Sequence, residues 1–242
     1  MSVPTIFFVL QIGYICIMNA QNIYNIIVAA GSGSRFGAEL PKQYCLLDNR
    51  PVLMHTIDNM REALPNSQII VVLNKDFIDY WIELCDKYSF KSPKVVDGGN
   101  TRWQSVKNAI DIIPTDAEVI TVHDGARPII DKNMVERLIN ALDNAQGAIP
   151  VVAVTDSLRQ LNGDSSKPVD RELYRAVQTP QAFHAQRLIE AYSLPFDATF
   201  TDDASVMAAL GYDVVLVDGD TYNIKITHPL DIEIAQLYMR QR

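Results

Sequence analysis

One stretch of the sequence constrains the fold more than any other: a short apolar run that passes directly into a glycine-rich loop. The run covers residues 26–30 and has the length and branched side chains of a buried strand. Gly31, Gly33 and Gly37 follow within seven residues. Glycines let a backbone turn tightly and approach a ligand, and the inward-pointing N–H groups of such a loop can bind an anion. The pattern therefore predicts a strand that ends in an anion-binding loop.

Two cationic side chains, Arg35 and Lys42, lie on the same loop. A strand, a glycine loop and two cations together predict a phosphate site. A glycine turn with two solvated cations is the alternative on local grounds, because short motifs often match by chance.

The known phosphate-binding signatures do not match this loop. The dinucleotide fingerprint needs its third glycine three residues after the second, whereas Gly37 follows Gly33 by four. The next apolar run ends at Asn74, so it lacks the acidic residue that holds a ribose. The P-loop pattern is absent as well. These differences disfavour an NAD-dependent oxidoreductase.

Composition narrows the class of protein further. The chain has 242 residues, which fits one large α/β domain or two small ones. Its net charge of −8 argues against general nucleic-acid binding, which needs a basic face, but not against a small phosphorylated ligand. Cys16, Cys45 and Cys85 are scattered without a C-x-x-C pair, which indicates a reducing compartment with no disulfide framework or zinc site. We therefore predict a cytoplasmic protein.

The N-terminal residues 3–18 are almost entirely apolar. They are fewer than the roughly 20 residues that span a bilayer. No Lys or Arg precedes them and no clean cleavage site follows, so they make a poor signal peptide. We predict that residues 1–20 are an extension outside the fold, with Met18 as the functional start, and that residues 21–242 form a single domain. A membrane anchor is the minor alternative.

Predicted strands and helices alternate along the chain. Strands are predicted at residues 26–30, 68–73, 94–96, 118–123, 148–154, 213–217 and 221–226, and helices at 51–60, 76–88, 101–113, 132–145, 185–192, 202–210 and from 229 onward. The alternation indicates βαβ units and a doubly wound, mostly parallel sheet. Ligands of such sheets sit beyond the carboxyl ends of the strands, where the loops 31–42, 97–102 and 124–127 all fall. We therefore predict one shared site at that edge.

The alternation breaks at residues 155–178. An Asn-Gly-Asp turn at 162–164 lies between two extended runs, which predicts a hairpin. A long polar arm that leaves a compact domain buries its apolar side best against a partner subunit, which predicts a symmetric homodimer. A mobile surface hairpin is the alternative.

Several polar residues have a structural interpretation as well as a functional one. His123 is the last residue of a predicted strand and is interpreted as structural rather than as a ligand or base. Asp202 is interpreted as a helix cap rather than as half of a carboxylate pair with Asp203. Lys225, on the predicted strand 221–226, is either an edge charge or a site residue.

Seven segments, taken in their order and spacing, resemble the 2-C-methyl-D-erythritol 4-phosphate cytidylyltransferases over residues 24–242. The segments are Ala29–Arg35, Pro41–Tyr44, Gly98–Val106, Val122–Pro128, Gln178–Gln181, Thr201–Ser205 and Asn223–Thr227. The resemblance implies a Rossmann-like nucleotidyltransferase fold with a protruding β-arm for dimerisation. It also implies the transfer of CMP from CTP to 2-C-methyl-D-erythritol 4-phosphate, in the non-mevalonate route to isoprenoid precursors, with release of pyrophosphate and with Mg²⁺ bridging the triphosphate.

The same resemblance implies a role for each matching residue. The catalytic cations are Arg35 and Lys42; the nucleotide-binding residues are Ala29, Ala30, Gly31, Gly33, Gly98, Ser105 and Asp124; and the acceptor-binding residues are Arg127, Ser157, Arg171, Thr201 and Lys225. Asp124 is also the candidate metal residue. Ser157 and Arg171 would reach into the neighbouring subunit's site, and Ser157 stands where many relatives have threonine. A ribitol-5-phosphate cytidylyltransferase and a nucleotide-binding module without catalysis remain as alternatives.

Overall fold

The fold was analysed in a computed structural model, which describes residues 22–31 and 40–241. The predicted extension at residues 1–20 lies outside the described residues, and so do Gly33, Arg35 and Gly37.

The strands of the described residues are β1 (Ile23–Ala29), β2 (Leu46–Leu47), β3 (Arg50–Pro51), β4 (Gln68–Leu73), β5 (Lys94–Asp97), β6 (Val119–Asp124), β7 (Gly147–Ala153), β8 (Arg159–Asn162), β9 (Ser165–Pro168), β10 (Arg175–Val177), β11 (Gln181–His184) and β12 (Val214–Asp218). The α-helices are α1 (Val52–Ala63), α2 (Ile78–Lys87), α3 (Arg102–Ile110), α4 (Lys132–Ala141), α5 (Ala185–Ala191), α6 (Asp203–Ala209) and α7 (Leu230–Met239).

The central sheet has the order β5–β4–β1–β6–β11–β7, and β10 and β12 both pair with β7. The pairs β1–β4, β1–β6, β4–β5 and β7–β12 are parallel. Strands β10 and β11 run antiparallel because the chain leaves the end of β7, passes through the arm and returns in the opposite direction. The prediction of a mostly parallel α/β sheet is confirmed.

Helices cover both faces of this sheet, because alternate residues of a strand point to opposite sides. On β1, Ile26 packs in the cluster that contains Val106 of α3, whereas its neighbour Ile27 packs with Leu53 of α1 and Trp81 of α2. All five of these side chains are fully buried. A strand buried on both faces is apolar throughout rather than alternating, which explains the continuous run at residues 26–30.

The predicted arm is present as a hairpin. Strands β8 and β9 pair antiparallel, and Gly163 in the turn between them has φ of 56°, a conformation that favours glycine. Every residue of both strands is exposed. The hairpin strands therefore contribute no buried residue to the core of their own protomer.

The predicted strand at 221–226 is wrong. After β12 ends at Asp218 the chain crosses the end of the sheet without a strand partner. Its backbone bonds go elsewhere: Ile226 N donates to Ala126 O at 2.8 Å, and the side chain of Gln178 binds the backbone of Asp220. Lys225 is thus carried by a loop and not by a sheet edge.

In the part of the chain that the structure describes, no helix combines the length and the apolar composition that crossing a bilayer requires.

Candidate active site

A cleft of about 590 Å³ opens at the carboxyl edge of the parallel strands. Its lining residues come from the ends of β1, β4 and β6, from the segment before β2, from the loop between β5 and α3, from α3 and from the loop after β12. They are Val28, Ala29, Ala30, Gly31, Lys42, Gln43, Asn74, Gly99, Asn100, Thr101, Arg102, Ser105, Asp124, Ala126, Lys225 and Thr227. The predicted convergence of three loops on one site is confirmed.

The end of the glycine loop is held against its beginning by Gln43. This buried side chain donates from Nε2 to Ala29 O at 2.7 Å and to Gly31 O at 3.2 Å. The two bonds bring the neighbouring Lys42 to the cleft at the end of β1. The sequence interpretation gave Gln43 no role, although the residue stands beside Lys42 in the matching segment.

The opposite wall is built by close packing of the backbone. A Cβ added at Gly98 would lie 2.3 Å from Ala30 Cβ, so only glycine fits there without a shift. Ser105 Oγ accepts a hydrogen bond from Gly99 N at 3.1 Å. Thr101 accepts from Gln104 N at 3.0 Å, which confirms the predicted cap of α3.

Asp124, at the end of β6, is the centre of charge in the cleft. Its Oδ2 lies 2.8 Å from Lys225 Nζ and 3.3 Å from Arg127 Nε, and its Oδ1 lies 3.9 Å from Arg102 Nε. Burial raises the pKa of Asp124, but the three cations lower it by more than burial raises it. The pKa of Asp124 is therefore well below its usual range. The side chain is therefore ionised throughout the neutral range.

Arg102 is a site residue that the sequence interpretation missed. It forms a two-pronged bond with fully buried Asp203, at 3.0 and 2.6 Å, and Tyr192 also donates to that carboxylate at 2.6 Å. Burial by itself would lower the pKa of Arg102, but Asp203 raises it above its ordinary value. The sequence signal for Arg102 is its position directly after Thr101, inside the segment Gly98–Val106 that resembles the family.

Two structural interpretations are confirmed. Asp202 caps α6 in a reciprocal pair with Ser205. His123 is fully buried, with Nε2 3.0 Å from Arg127 O and Nδ1 3.0 Å from Thr179 Oγ1, and burial lowers its pKa to about 4. His123 does not line the cleft.

The other predicted acceptor residues are arranged differently. Arg127 is turned inward, where its Nη1 donates to Asn223 O at 2.8 Å. Thr201 is exposed near the start of α6, and Ser157 and Arg171 are exposed on the arm. None of these last three lines the cleft of its own protomer.

Sheets of this kind bind nucleotides at the carboxyl edge of their parallel strands, and the lysine and arginine side chains at this edge favour a phosphorylated ligand. The fold and the site thus define a nucleotide-binding α/β protein.

Comparison with known proteins identifies the family. The family model IspD, 2-C-methyl-D-erythritol 4-phosphate cytidylyltransferase, matches residues 23–241. A protein of that name from Bacteroides thetaiotaomicron is 42% identical over 211 residues, covering 87% of this chain and 96% of the relative. Another from Porphyromonas gingivalis is 42% identical over 221 residues, covering 90% and 98%.

Solved structures agree with the sequence relatives. The 4-diphosphocytidyl-2C-methyl-D-erythritol synthase of Anaerococcus prevotii superposes with a TM-score of 0.76 at 28% identity, covering 93% of this chain and all of the other. The 2-C-methyl-D-erythritol 4-phosphate cytidylyltransferase of Francisella tularensis gives 0.75 at 28% identity, covering 90% and 99%. The chain belongs to the 2-C-methyl-D-erythritol 4-phosphate cytidylyltransferase family and is a nucleotidyltransferase. The ribitol-5-phosphate alternative is not favoured by these relatives.

Proposed function

We propose that the cleft holds CTP and presents its α-phosphorus to a phosphate of 2-C-methyl-D-erythritol 4-phosphate. As in the family's reaction, an oxygen of that phosphate forms a bond to the α-phosphorus while the bond to the departing pyrophosphate breaks. The products are 4-diphosphocytidyl-2-C-methyl-D-erythritol and pyrophosphate, within the non-mevalonate pathway. One observation carries the proposal. Lys42 and the backbone at the end of β1 share a single cleft with Asp124 and the two cationic side chains Arg102 and Lys225.

On the nucleotide side, the backbone at Ala29–Gly31 and the wall formed by Gly98 and Ser105 enclose the space for CTP. Ser105 Oγ is already bonded, since it donates to Thr101 O at 2.9 Å and accepts from Gly99 N. These two bonds tie the wall to the start of α3. Gly33 is assigned to the same loop.

Arg35 and Lys42 are the catalytic cations of this proposal. Negative charge grows on the oxygens of the α-phosphate as the phosphorus becomes five-coordinate, and fixed cations stabilise it. Loss of one such stabilising group typically costs about 10²–10³ in rate, or ~2.7–4 kcal/mol. The nucleophile belongs to the substrate, so the chain supplies position and charge and no covalent group.

On the acceptor side, Lys225 and Arg127 are held around Asp124. Asp203 neutralises Arg102, and Asp124 neutralises one of the other two cations. The group that these five side chains form keeps one net positive charge, which favours a phosphorylated acceptor. Thr201 is assigned to the same side.

A divalent metal fits this site as a companion of the nucleotide. In the part of the chain described, no three His, Cys, Asp or Glu side chains form a group that would hold a metal, and Asp124 is the one carboxylate lining the cleft. Mg²⁺ is commonly bound by one or two carboxylates together with substrate phosphates. When bound, it would supply charge neutralisation on the triphosphate, with Asp124 as the candidate protein ligand.

The arm supports a homodimer. Leu161 and Leu173 are 77% and 81% exposed in the protomer, and Tyr174 and Val177 are also exposed. A second copy of the arm or domain would cover them and bring Ser157 and Arg171 to the neighbouring cleft. The proposed dimer thus completes the acceptor side.

The deciding assay measures pyrophosphate release from CTP with each polyol phosphate in turn. We expect release with 2-C-methyl-D-erythritol 4-phosphate and little with ribitol 5-phosphate. Release with ribitol 5-phosphate alone would overturn the substrate assignment, and CTP binding without release for either would indicate a binding module.

A further inference from the structure

The arm rejoins the domain at two buried polar residues, whose side chains bind the backbone next to the cationic group. Gln178 and Thr179 follow β10 directly, and each is 6% exposed. Neither side chain lines the cleft of the protomer. Their hydrogen bonds nevertheless go to the backbone of the segments that carry Asp124 and Lys225.

Gln178 holds the loop that replaced the predicted strand. Its Nε2 donates to Asp220 O at 2.8 Å and to Asn223 O at 3.3 Å, and its Oε1 accepts from Asp220 N at 3.1 Å. Arg127 Nη1 donates to the same Asn223 O. The carboxamide therefore takes the place of a neighbouring strand and fixes the backbone two residues before Lys225.

Thr179 holds the end of β6. Its Oγ1 accepts from Asp124 N at 3.0 Å and lies 3.0 Å from His123 Nδ1. A carbonyl oxygen only accepts, so His123 Nε2 donates to Arg127 O, and in the neutral ring Nδ1 is left to accept the Thr179 hydroxyl proton. One directed chain of hydrogen bonds then runs from Asp124 through Thr179 and His123 to Arg127.

We propose that Gln178 and Thr179 are positioning residues, which set the contact between Asp124 and Lys225 from the base of the arm. The inference rests on the proposed role of that pair in binding and reaction. Both side chains are buried, and so are the hydrogen bonds that join them to Asp124 N and Asn223 O. A misplacement of about 1 Å at a reacting centre can cost about 10² in rate, so fixing these two backbone segments matters for turnover.

The test uses close-to-isosteric variants. Thr179→Val removes the hydroxyl and keeps the shape, and we expect kcat to fall about 10- to 100-fold, whereas Thr179→Ser should stay within about threefold. Gln178→Glu places a carboxylate against two carbonyl oxygens, and we expect the KM for the polyol phosphate to rise about tenfold while the calorimetric Kd for CTP changes less than about threefold.

A matched control comes from the same strand. Thr121 in β6 is buried, and its Oγ1 donates to Asn25 Oδ1 at 2.5 Å away from the cleft. Thr121→Val makes the same substitution without touching the site. It should lower the urea midpoint and leave kcat and both KM values unchanged.

The possible results separate this inference from the proposed function. If Thr179→Val and Gln178→Glu lose stability like Thr121→Val but keep wild-type kinetics, the positioning role is wrong. Should Gln178→Glu yield no folded protein, Gln178→Met makes the same test without the added charge. The Lys225→Gln variant provides the second measurement. Unchanged acceptor kinetics in this variant would contradict the proposed role of Lys225. Impaired kinetics in this variant, together with wild-type kinetics in the Gln178 variants, would overturn the positioning role alone.

Discussion

At the scale of single residues, the site depends on one backbone position with no room for a side chain. Gly98 N donates to Leu73 O at 2.7 Å, which pulls the chain against the end of β4 and toward Ala30. Two walls of the proposed nucleotide space therefore meet at Gly98, and their separation is set by the absence of a Cβ.

We predict that Gly98→Ala raises the KM for CTP, because the added Cβ would lie 2.3 Å from Ala30 Cβ and push the walls apart. Steady-state kinetics at saturating acceptor would measure the change. The double variant Gly98→Ala/Ala30→Gly removes the opposing Cβ and should recover part of the loss. A double variant no better than the single one would contradict the steric explanation.

The second residue-scale prediction concerns Asp124 and pH. Its pKa is lowered in the folded protein, so its stabilising effect is present above the unfolded pKa of about 3.9 and is lost as the pH falls through the folded value. Asp124→Asn leaves Lys225 and Arg127 without their partner and should cost about 3 kcal/mol of unfolding free energy at pH 7. Urea titrations at a series of pH values should show that the difference in unfolding free energy between Asp124→Asn and the wild type shrinks below about pH 4.

Asp58 provides the comparison for Asp124. It also pairs with two arginines, Arg50 and Arg61, but all three side chains are more than a third exposed. Asp58→Asn should therefore cost less than about 1 kcal/mol. Equal losses for the two variants would show that burial of Asp124 does not strengthen its pairs.

At the scale of secondary-structure elements, one ion pair connects the two sides of the site. Arg102 is the first residue of α3, on the proposed nucleotide side, and Asp203 is the first residue of α6, near Thr201 on the proposed acceptor side. Arginine presents two parallel donors to a carboxylate, which lysine cannot do. The pair therefore fixes the orientation of one helix start against the other.

We predict that Arg102→Lys lowers the free energy of unfolding by about 2 kcal/mol, since one of two charge-assisted hydrogen bonds to a buried carboxylate is lost. It should also lower kcat, because Arg102 faces Asp124 across 3.9 Å. Chemical denaturation and pyrophosphate release measure the two effects. Arg187→Lys, at an exposed pair with Glu190, is the control and should change neither.

At the scale of the whole molecule, the proposed homodimer predicts that the arm of one protomer completes the acceptor side of the other. In a mixed dimer of Lys42→Ala and Arg171→Ala chains, one site carries both changes and the other carries none. Each parent homodimer should be nearly inactive, and mixing should recover up to half of the wild-type activity per heterodimer. Recovery of no activity would contradict the shared site, and sedimentation would show whether heterodimers had formed.

Local patterns predicted much of this molecule from the sequence. The apolar run at residues 26–30, the cap at Thr101 and the cap at Asp202 depend on neighbours within a few positions, and each appears as predicted. The prediction of a strand at 221–226 failed because the alternating pattern resembles a strand, whereas no strand lies beside this segment. Its bonding partners, Gln178 and Ala126, are distant in sequence.

The sequence by itself determined the alternation of strands and helices up to β7, the edge of the sheet where the loops meet, and the family. It could do so because periodicity and ordered motifs are properties of the chain alone. Only the tertiary structure decided that Arg102 binds Asp203, that Gln43 closes the glycine loop, and that Gln178 and Thr179 support Asp124 and Lys225. These contacts join residues up to 101 positions apart, and a buried polar group takes its hydrogen-bond partners from whatever the fold brings beside it.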